Sequence, residues 1–125
     1  MTTSTVFILS EDAQFCRSIR TLVESAGLQA ITFPTLQALL DAEEPESGGC
    51  LVFYPQNDTL NDPQQQALLA AACAGRPGIL IIERGNVATA VHALKAGIED
   101  VVQKPYRDND LLERIVKALA THATA

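Results

Sequence analysis

Residues 78–106 read GILIIERGNVATAVHALKAGIEDVVQKPY, and this stretch decides the fold of the chain. It opens with the apolar run Ile79–Ile82, which is typical of a strand buried on both faces in a parallel sheet. Asn86 is a suitable helix N-cap and Gly97 suits the left-handed position after a helix, so a helix is predicted between them. A second strand follows and ends at Lys104. The stretch therefore predicts one strand–helix–strand unit with a right-handed crossover.

The predicted helix has one apolar face. Its members recur at helical spacing at Val87, Ala90, Val91 and Leu94. His92 lies in the same helix without a second ligand or catalytic group nearby, so we expect a surface position for it. We expect the same for His122 in the polar tail.

The rest of the chain alternates strand and helix in the same way. Apolar runs predict strands at Val6–Leu9, Leu28–Phe33 and Cys50–Tyr54. Helical spacing predicts a first helix through Phe15 and Ile19 and a last helix through Leu111 and Ile115. Thr35 is expected to cap the second helix, whose inward residues are Leu36, Leu39 and Leu40. Asp62 is expected to cap the third helix, whose inward residues are Leu68, Ala71 and Ala72, and Asp108 is expected to cap the last one. The most loop-like segment is Glu43–Gly49. This order predicts an α/β domain with helices on both faces of a doubly wound sheet.

Composition narrows the class of protein. With 125 residues, of which 47% are hydrophobic, the chain suits a single domain spanning residues 1–125. A formal net charge of -6 disfavours direct contact with nucleic acid. No apolar run approaches the length that spans a bilayer, and the N-terminus has no signal-peptide pattern. The three cysteines, Cys16, Cys50 and Cys73, make no paired motif, so we expect reduced thiols in a cytoplasmic protein.

The stretch at residues 86–106 resembles the second half of a two-component receiver domain, and it is most similar to receivers of the FixJ/NarL type. The matching positions are Asn86-Val87, Ala90-Val91, Ala93 to Gly97, Asp100 and Lys104-Pro105-Tyr106. The resemblance covers nearly the whole chain. It implies a three-layer, flavodoxin-like (CheY-like) fold with five parallel strands in the order 2-1-3-4-5, whose site lies at the carboxyl ends of the strands.

The resemblance also says which residues should form that site. In the family, an aspartate after the third strand accepts a phosphoryl group, an acid pair after the first strand binds Mg²⁺, and a hydroxyl and a lysine contact the phosphoryl group. The matching positions here are Tyr54 for the aspartate, Ser10 and Glu11 with Asp12 just after for the acids, Ile82 for the hydroxyl, and Lys104 for the lysine. Pro105 follows Lys104, and in the family the bond between them is cis.

Three of these requirements fail together in this sequence. A tyrosine cannot replace the carboxylate nucleophile, since its phenol is mostly protonated at neutral pH. Ile82 has no hydrogen-bond donor, and Ser10 removes a charge that would bind the metal. We therefore expect a degenerate phosphorylation pocket without aspartyl phosphorylation, without a metal or other cofactor, and without enzymatic activity.

Several alternatives remain at the level of sequence. Tyr54 is either an ordinary packing residue or a permanent filler of the former phosphoryl pocket. Asp58 and Glu83 are candidate substitute acids, although solvated loop positions explain them equally. Lys104 is expected to pair with Glu11 or Asp12. The loop after the first strand lacks the character of an FMN phosphate site.

Two classes of function follow. The first is a pseudo-receiver in signal transduction that acts through protein contacts, as a homodimer or with another protein. The resemblance implies a partner surface on the fourth helix, fifth strand and fifth helix, at Ala90, Ala93, Val101, Tyr106, Leu112 and Val116. A DNA-binding helix-turn-helix follows such receivers in the family, and it is either absent here or truncated. The alternative is a phosphorylatable or small-molecule-sensing receiver with a non-standard pocket.

Overall fold

The computed structural model describes residues 4–42, 49–56 and 58–123. Most of the predicted loop at residues 43–49 lies outside this part, as does the side chain of His122. Strands and helices alternate along the chain as β1 (Thr5–Leu9), α1 (Ala13–Ser25), β2 (Gln29–Phe33), α2 (Leu36–Ala42), β3 (Cys50–Phe53), α3 (Pro63–Cys73), β4 (Gly78–Ile82), α4 (Val87–Ala96), β5 (Asp100–Gln103) and α5 (Asp108–Ala123). A single turn of 3-10 helix, Thr59–Asn61, precedes α3.

The five strands form one parallel sheet in the order β2-β1-β3-β4-β5. Leu9 at the end of β1 lies opposite Phe33 of β2 and Phe53 of β3, so the carboxyl ends of these strands are level. β3 and β4 are buried along their whole lengths. The fold class, the strand order and the three layers are as predicted.

Two apolar clusters form the core, one on each face of the sheet. On one face α1 and α5 cover the sheet, with Phe15, Ile19, Leu111 and Ile115 among the buried residues. On the other face α2, α3 and α4 cover it, with Leu36, Leu39, Leu69 and Ala93 among them. Both faces of the central strands are therefore removed from water, which is the arrangement that continuous apolar strands require.

The N-cap predictions were correct in three of four cases. Asn86 caps α4, where its side-chain oxygen accepts a hydrogen bond from the Thr89 N–H at 3.3 Å. Asp62 accepts a hydrogen bond from the Gln64 N–H at 2.9 Å, and Thr35 accepts one from the Ala38 N–H at 3.1 Å. Asp108 is the first residue of α5 and not its cap. In α3 Ala72 is buried as predicted. Leu69 is also fully buried, whereas Leu68 is half-buried and Ala71 is exposed, so the prediction for Ala71 is wrong.

The apolar face predicted for α4 is not the face that packs on the sheet. Val87 is 67% exposed, Val91 42% and Leu94 53%, whereas Thr89 and Ala93 are buried. The surface position expected for His92 is also only partly right, because its ring is half-buried and its Nδ1 lies 3.2 Å from the Gln66 amide nitrogen of α3. Leu94 is two residues from His92, which places it about 200° around the helix from that contact. The side of α4 that carries Leu94 therefore faces away from α3.

Gly97 ends α4 with a φ of 110°, and its N–H bonds to the carbonyl groups of Ala93 and Leu94. A side-chain carbon added at this position would come no closer than 3.8 Å to another residue, at Cys73 Cβ, so the glycine is needed for its backbone conformation and not for space. We expect Gly97→Ala to lower the free energy of unfolding by about 1–2 kcal/mol. Urea unfolding monitored by circular dichroism measures the loss.

Gly97→Asn is the matched control for that change. Asparagine tolerates the left-handed region better than alanine, so its loss should be smaller. Equal losses for the two variants would mean that backbone strain is not the cause.

Candidate functional site

The carboxyl edge of the sheet brings together the residues that follow β1, β3, β4 and β5. Tyr54 follows β3 directly, and its N–H donates to the carbonyl of Leu9 at 2.9 Å. Lys104 follows β5, and its N–H donates to the carbonyl of Ile82 at 2.8 Å. These bonds extend the sheet by one residue, so both side chains project from a rigid edge.

The turn after β1 is built by its own side chains. Ser10 is only 7% exposed, and its hydroxyl accepts a hydrogen bond from the Asp12 N–H at 3.1 Å. Asp12 is the N-cap of α1, where its Oδ1 accepts from the Phe15 N–H at 3.0 Å. Glu11 is exposed. One of the two acids predicted for the pocket is therefore used to cap a helix.

Tyr54 is half-buried and packs its ring against Phe15, with the two ring centroids 4.7 Å apart at an angle of 44°. Its hydroxyl donates a hydrogen bond to Glu83, the residue that follows β4. Burial, followed by this bond to Glu83, raises the pKa of the Tyr54 phenol above its ordinary value. The phenol is therefore protonated at neutral pH and acts as a donor.

Lys104 lies over the two aromatic rings. Its Nζ is 4.1 Å from the centroid of the Tyr54 ring and 5.7 Å from that of Phe15. A cation at such distances is attracted by the negative face of the ring, by about 0.5–1 kcal/mol where water has access. Within the described residues no ion pair joins Lys104 to Glu11 or Asp12, so the pairing predicted from the sequence is wrong.

The remaining predicted pocket residues lie at the same edge. Ile82 is 7% exposed and ends β4 with an apolar side chain. The bond between Lys104 and Pro105 is cis, as the resemblance implied. In the described part of the chain, no group of three or more His, Cys, Asp or Glu residues is placed to bind a metal ion.

Sequence reasoning missed the roles of two residues in this site. From the sequence, Glu83 is only a candidate substitute acid and Phe15 only a core residue. Glu83 could have been found, because it follows β4 as Tyr54 follows β3 and the two strands are neighbours in the predicted order. The ring contact of Phe15 depends on how α1 lies on the sheet, which the sequence does not specify.

The predicted partner residues do not form one continuous surface. Ala90 is half-buried and Val101 packs against the same core cluster, on the α4 side of the sheet. Ala93 is fully buried and cannot contact a partner. Tyr106 packs against the opposite cluster, on the α1 and α5 side.

Leu112 and Val116 lie on the flank of α5 that faces away from β5. Arg114 bonds to Asp100 of β5 at 2.5 Å, which identifies the flank of α5 nearest to that strand. Leu112 and Val116 are each two residues from Arg114, about 200° around the helix. The fifth helix therefore presents these two residues to a different side of the molecule from Ala90 and Val101.

Comparison with known proteins shows which proteins this chain is similar to. No protein-family model matches the chain. It is 32% identical over 117 residues to nodulation protein W of Bradyrhizobium diazoefficiens, a match that covers 94% of this chain and 52% of that protein. It is 30% identical over 114 residues to the transcriptional regulatory protein FixJ of the same organism, which covers 91% of this chain and 56% of FixJ. The chain thus spans about half the length of the curated relatives it matches.

Solved structures agree with the sequence comparison. Full-length FixJ from B. japonicum superposes with a TM-score of 0.79 at 28% identity, covering 98% of this chain and 60% of that one. A CheY-like receiver domain from Methanospirillum hungatei gives a TM-score of 0.80 at 22% identity and covers 98% of both chains, which is evidence for the fold alone.

Five parallel strands in this order, with helices on both faces and the site at their carboxyl ends, define the CheY-like, flavodoxin-like class. Within that class the chain is a response-regulator receiver domain of two-component signalling, related to those of the FixJ type. Receivers of this kind are signalling domains and are often attached to transcription regulators. Among the helices of the described residues, none has the length and apolar character needed to cross a membrane.

Tyr54→Phe keeps the ring and removes the hydrogen bond to Glu83. We expect it to lower the free energy of unfolding by about 0.5–1 kcal/mol, because the bond is only partly shielded from water. Urea unfolding is the measurement. Tyr106→Phe is the control, since the Tyr106 hydroxyl has no hydrogen-bond partner among the described residues, and an equal loss in both variants would contradict the role given to Glu83.

Proposed function

We propose that this chain is an atypical receiver domain that acts through protein contacts, independently of aspartyl phosphorylation. The observation that supports this most directly is the network around Tyr54. Its ring stands at the carboxyl end of β3, its hydroxyl bonds to Glu83, and the Lys104 ammonium lies 4.1 Å from its centroid. By resemblance, Lys104 would contact a phosphoryl group, and here it is engaged within the protein.

The chemistry of phosphoryl transfer gives the proposal a second support. Transfer to an aspartate needs a carboxylate nucleophile, Mg²⁺ to neutralise the phosphoryl oxygens, and donors to the transferred group. Tyr54 supplies a protonated phenol, Ile82 supplies no donor, and the Asp12 carboxylate caps α1. We therefore propose that the domain works without Mg²⁺ or another cofactor and is not an enzyme.

The process that this receiver controls is proposed by analogy with its relatives. Several of them, FixJ among them, are named transcriptional regulatory proteins, and the chain covers only 52–61% of their length. We propose that this receiver belongs to a cytoplasmic transcription regulator in which a different segment contacts DNA. A net charge of -6 makes the receiver itself unsuited to contact with DNA.

The partner surface is proposed on the exposed flank of α4 beside β5. We call it the α4 ridge, and its members are Val87, Ala90, Val91 and Leu94. Three of these four side chains are more than 40% exposed, and β5 beside them is the edge strand of the sheet. An apolar ridge next to an open strand edge would gain free energy if a second copy of the chain covered it.

The first test uses acetyl phosphate or beryllofluoride with Mg²⁺. We expect the wild-type chain to show neither a phosphoryl mass gain nor shifts of the Tyr54 and Lys104 amide resonances. Tyr54→Asp alone should also fail, because Ile82 and Ser10 still lack the donor and the metal-binding charge. Mass spectrometry and NMR titration report the result.

A triple variant with Ser10→Asp, Tyr54→Asp and Ile82→Thr is the matched control. It replaces all three missing groups and should be labelled in an Mg²⁺-dependent way. Robust labelling of the wild type would favour the alternative, a phosphoacceptor with a non-standard residue. Labelling of Tyr54→Asp alone would mean that Ser10 and Ile82 are not barriers to phosphorylation.

The second test concerns the α4 ridge. Leu94→Lys should weaken self-association of the chain, since it places a charge at the C-terminal end of the α4 ridge, where Leu94 is 53% exposed. Sedimentation velocity at increasing protein concentration measures the weight-average mass. Val116→Lys, at a similarly exposed position on the opposite flank of α5, should leave that mass unchanged, and an equal effect of both variants would argue against the ridge.

A further inference from the structure

A cleft of about 480 Å³ opens next to the Tyr54 network, between β1, the start of α2 and the loop after β3. Its volume falls in the range of small-molecule sites, roughly 300–1,000 Å³. Its floor contains Leu36 and Phe53, which are 2% and 4% exposed. These two side chains offer little surface, so the apolar wall that a ligand can reach is formed by Tyr54 and Pro55, which are half-buried, and by the exposed Pro34.

The charges that line the cleft have one sign. Glu11, Asp58 and Asp62 contribute carboxylates, and no lysine, arginine or histidine is among the described lining residues. Such a lining repels phosphate and other anions and attracts cations. It also differs from the phosphoryl pocket of the family, which needs a cationic lysine at its centre.

Two polar side chains of the cleft have hydrogen-bonding capacity left over. Asp62 is occupied by the cap of α3, but Asp58 makes no side-chain cap bond although it precedes the 3-10 turn. Among the described residues, neither the Asp58 carboxylate nor the Gln65 amide has a side-chain hydrogen bond or ion pair. Asp58 is exposed and Gln65 is half-buried, so both can be reached from solvent.

We propose that this cleft binds a small organic cation, a protonated amine attached to a compact apolar group. The ammonium is paired with Asp58 and donates to the amide oxygen of Gln65, while the apolar group lies against Tyr54 and Pro55. Tyr54 also lines the cleft, so a bound molecule contacts the ring whose hydroxyl bonds to Glu83. The domain then has an input that requires no phosphate.

NMR titration of the whole chain with benzylamine tests the proposal, because this amine is protonated at neutral pH and combines one charge with one ring. We expect saturable shifts of the amides at residues 35–37 and 58–62, with a Kd on the order of millimolar for so small a molecule. Benzyl alcohol, the neutral analogue, and benzoate, the anionic one, should bind at least about fivefold more weakly, the effect of losing one close charge pair in water.

Asp58→Asn supplies the matched variant, since it removes the charge and keeps the shape. It should weaken benzylamine about fivefold, whereas Asp110→Asn, at an exposed acid on α5 outside the cleft, should not. The proposal is overturned if no saturable shifts occur, if benzyl alcohol or benzoate binds equally well, or if the shifts lie elsewhere. A negative result would leave the phosphorylation test above unaffected, because that test measures the transfer of a phosphoryl group and not the binding of an amine.

Discussion

The burial of the central strands on both faces is the constraint on which the rest of this structure depends. β3 and β4 have no exposed residue, and β1 is buried from Val6 onward. Such strands need a helical layer on each side, and parallel pairing leaves their carboxyl ends level at one edge. The position of the site follows from this, because Tyr54, Glu83 and Lys104 are each the first residue after a strand.

At that edge the ring of Tyr54 follows β3, the position at which the proposed function places the lost phosphoacceptor. A lysine facing an acid cluster would be held by Coulomb attraction, whereas Lys104 is held by the faces of two rings and Tyr54 is tied through its hydroxyl to Glu83. The network joins the ends of β3, β4 and β5 through contacts between side chains. This agrees with the proposal that the domain does not need phosphorylation to keep its form.

The packing of the fourth helix is the reason for proposing a partner surface on its exposed flank. Its buried positions, Thr89 and Ala93, are small, so the helix lies close to the sheet. The larger apolar residues are left on the flank beside the edge strand, where Val87 and Leu94 are more than half exposed. Covering them with another protein would remove this apolar surface from water, and for this reason contacts are proposed on this side of the molecule.

The sequence by itself determined the order of the elements, the parallel sheet, the edge of the sheet at which the site lies and, to within one residue, where the strands end. These features are local, because apolar runs and helix caps are set by residues that are close together in the chain. It did not determine which flank of α4 faces the core, where Lys104 is directed, or that Leu112 and Val116 lie on a different side from Ala90. Those outcomes depend on the rotation of each helix on the sheet and on which side chains fill a shared space. Only tertiary packing decides them, since the free energy of a contact depends on both residues that make it, and these residues lie far apart in the sequence.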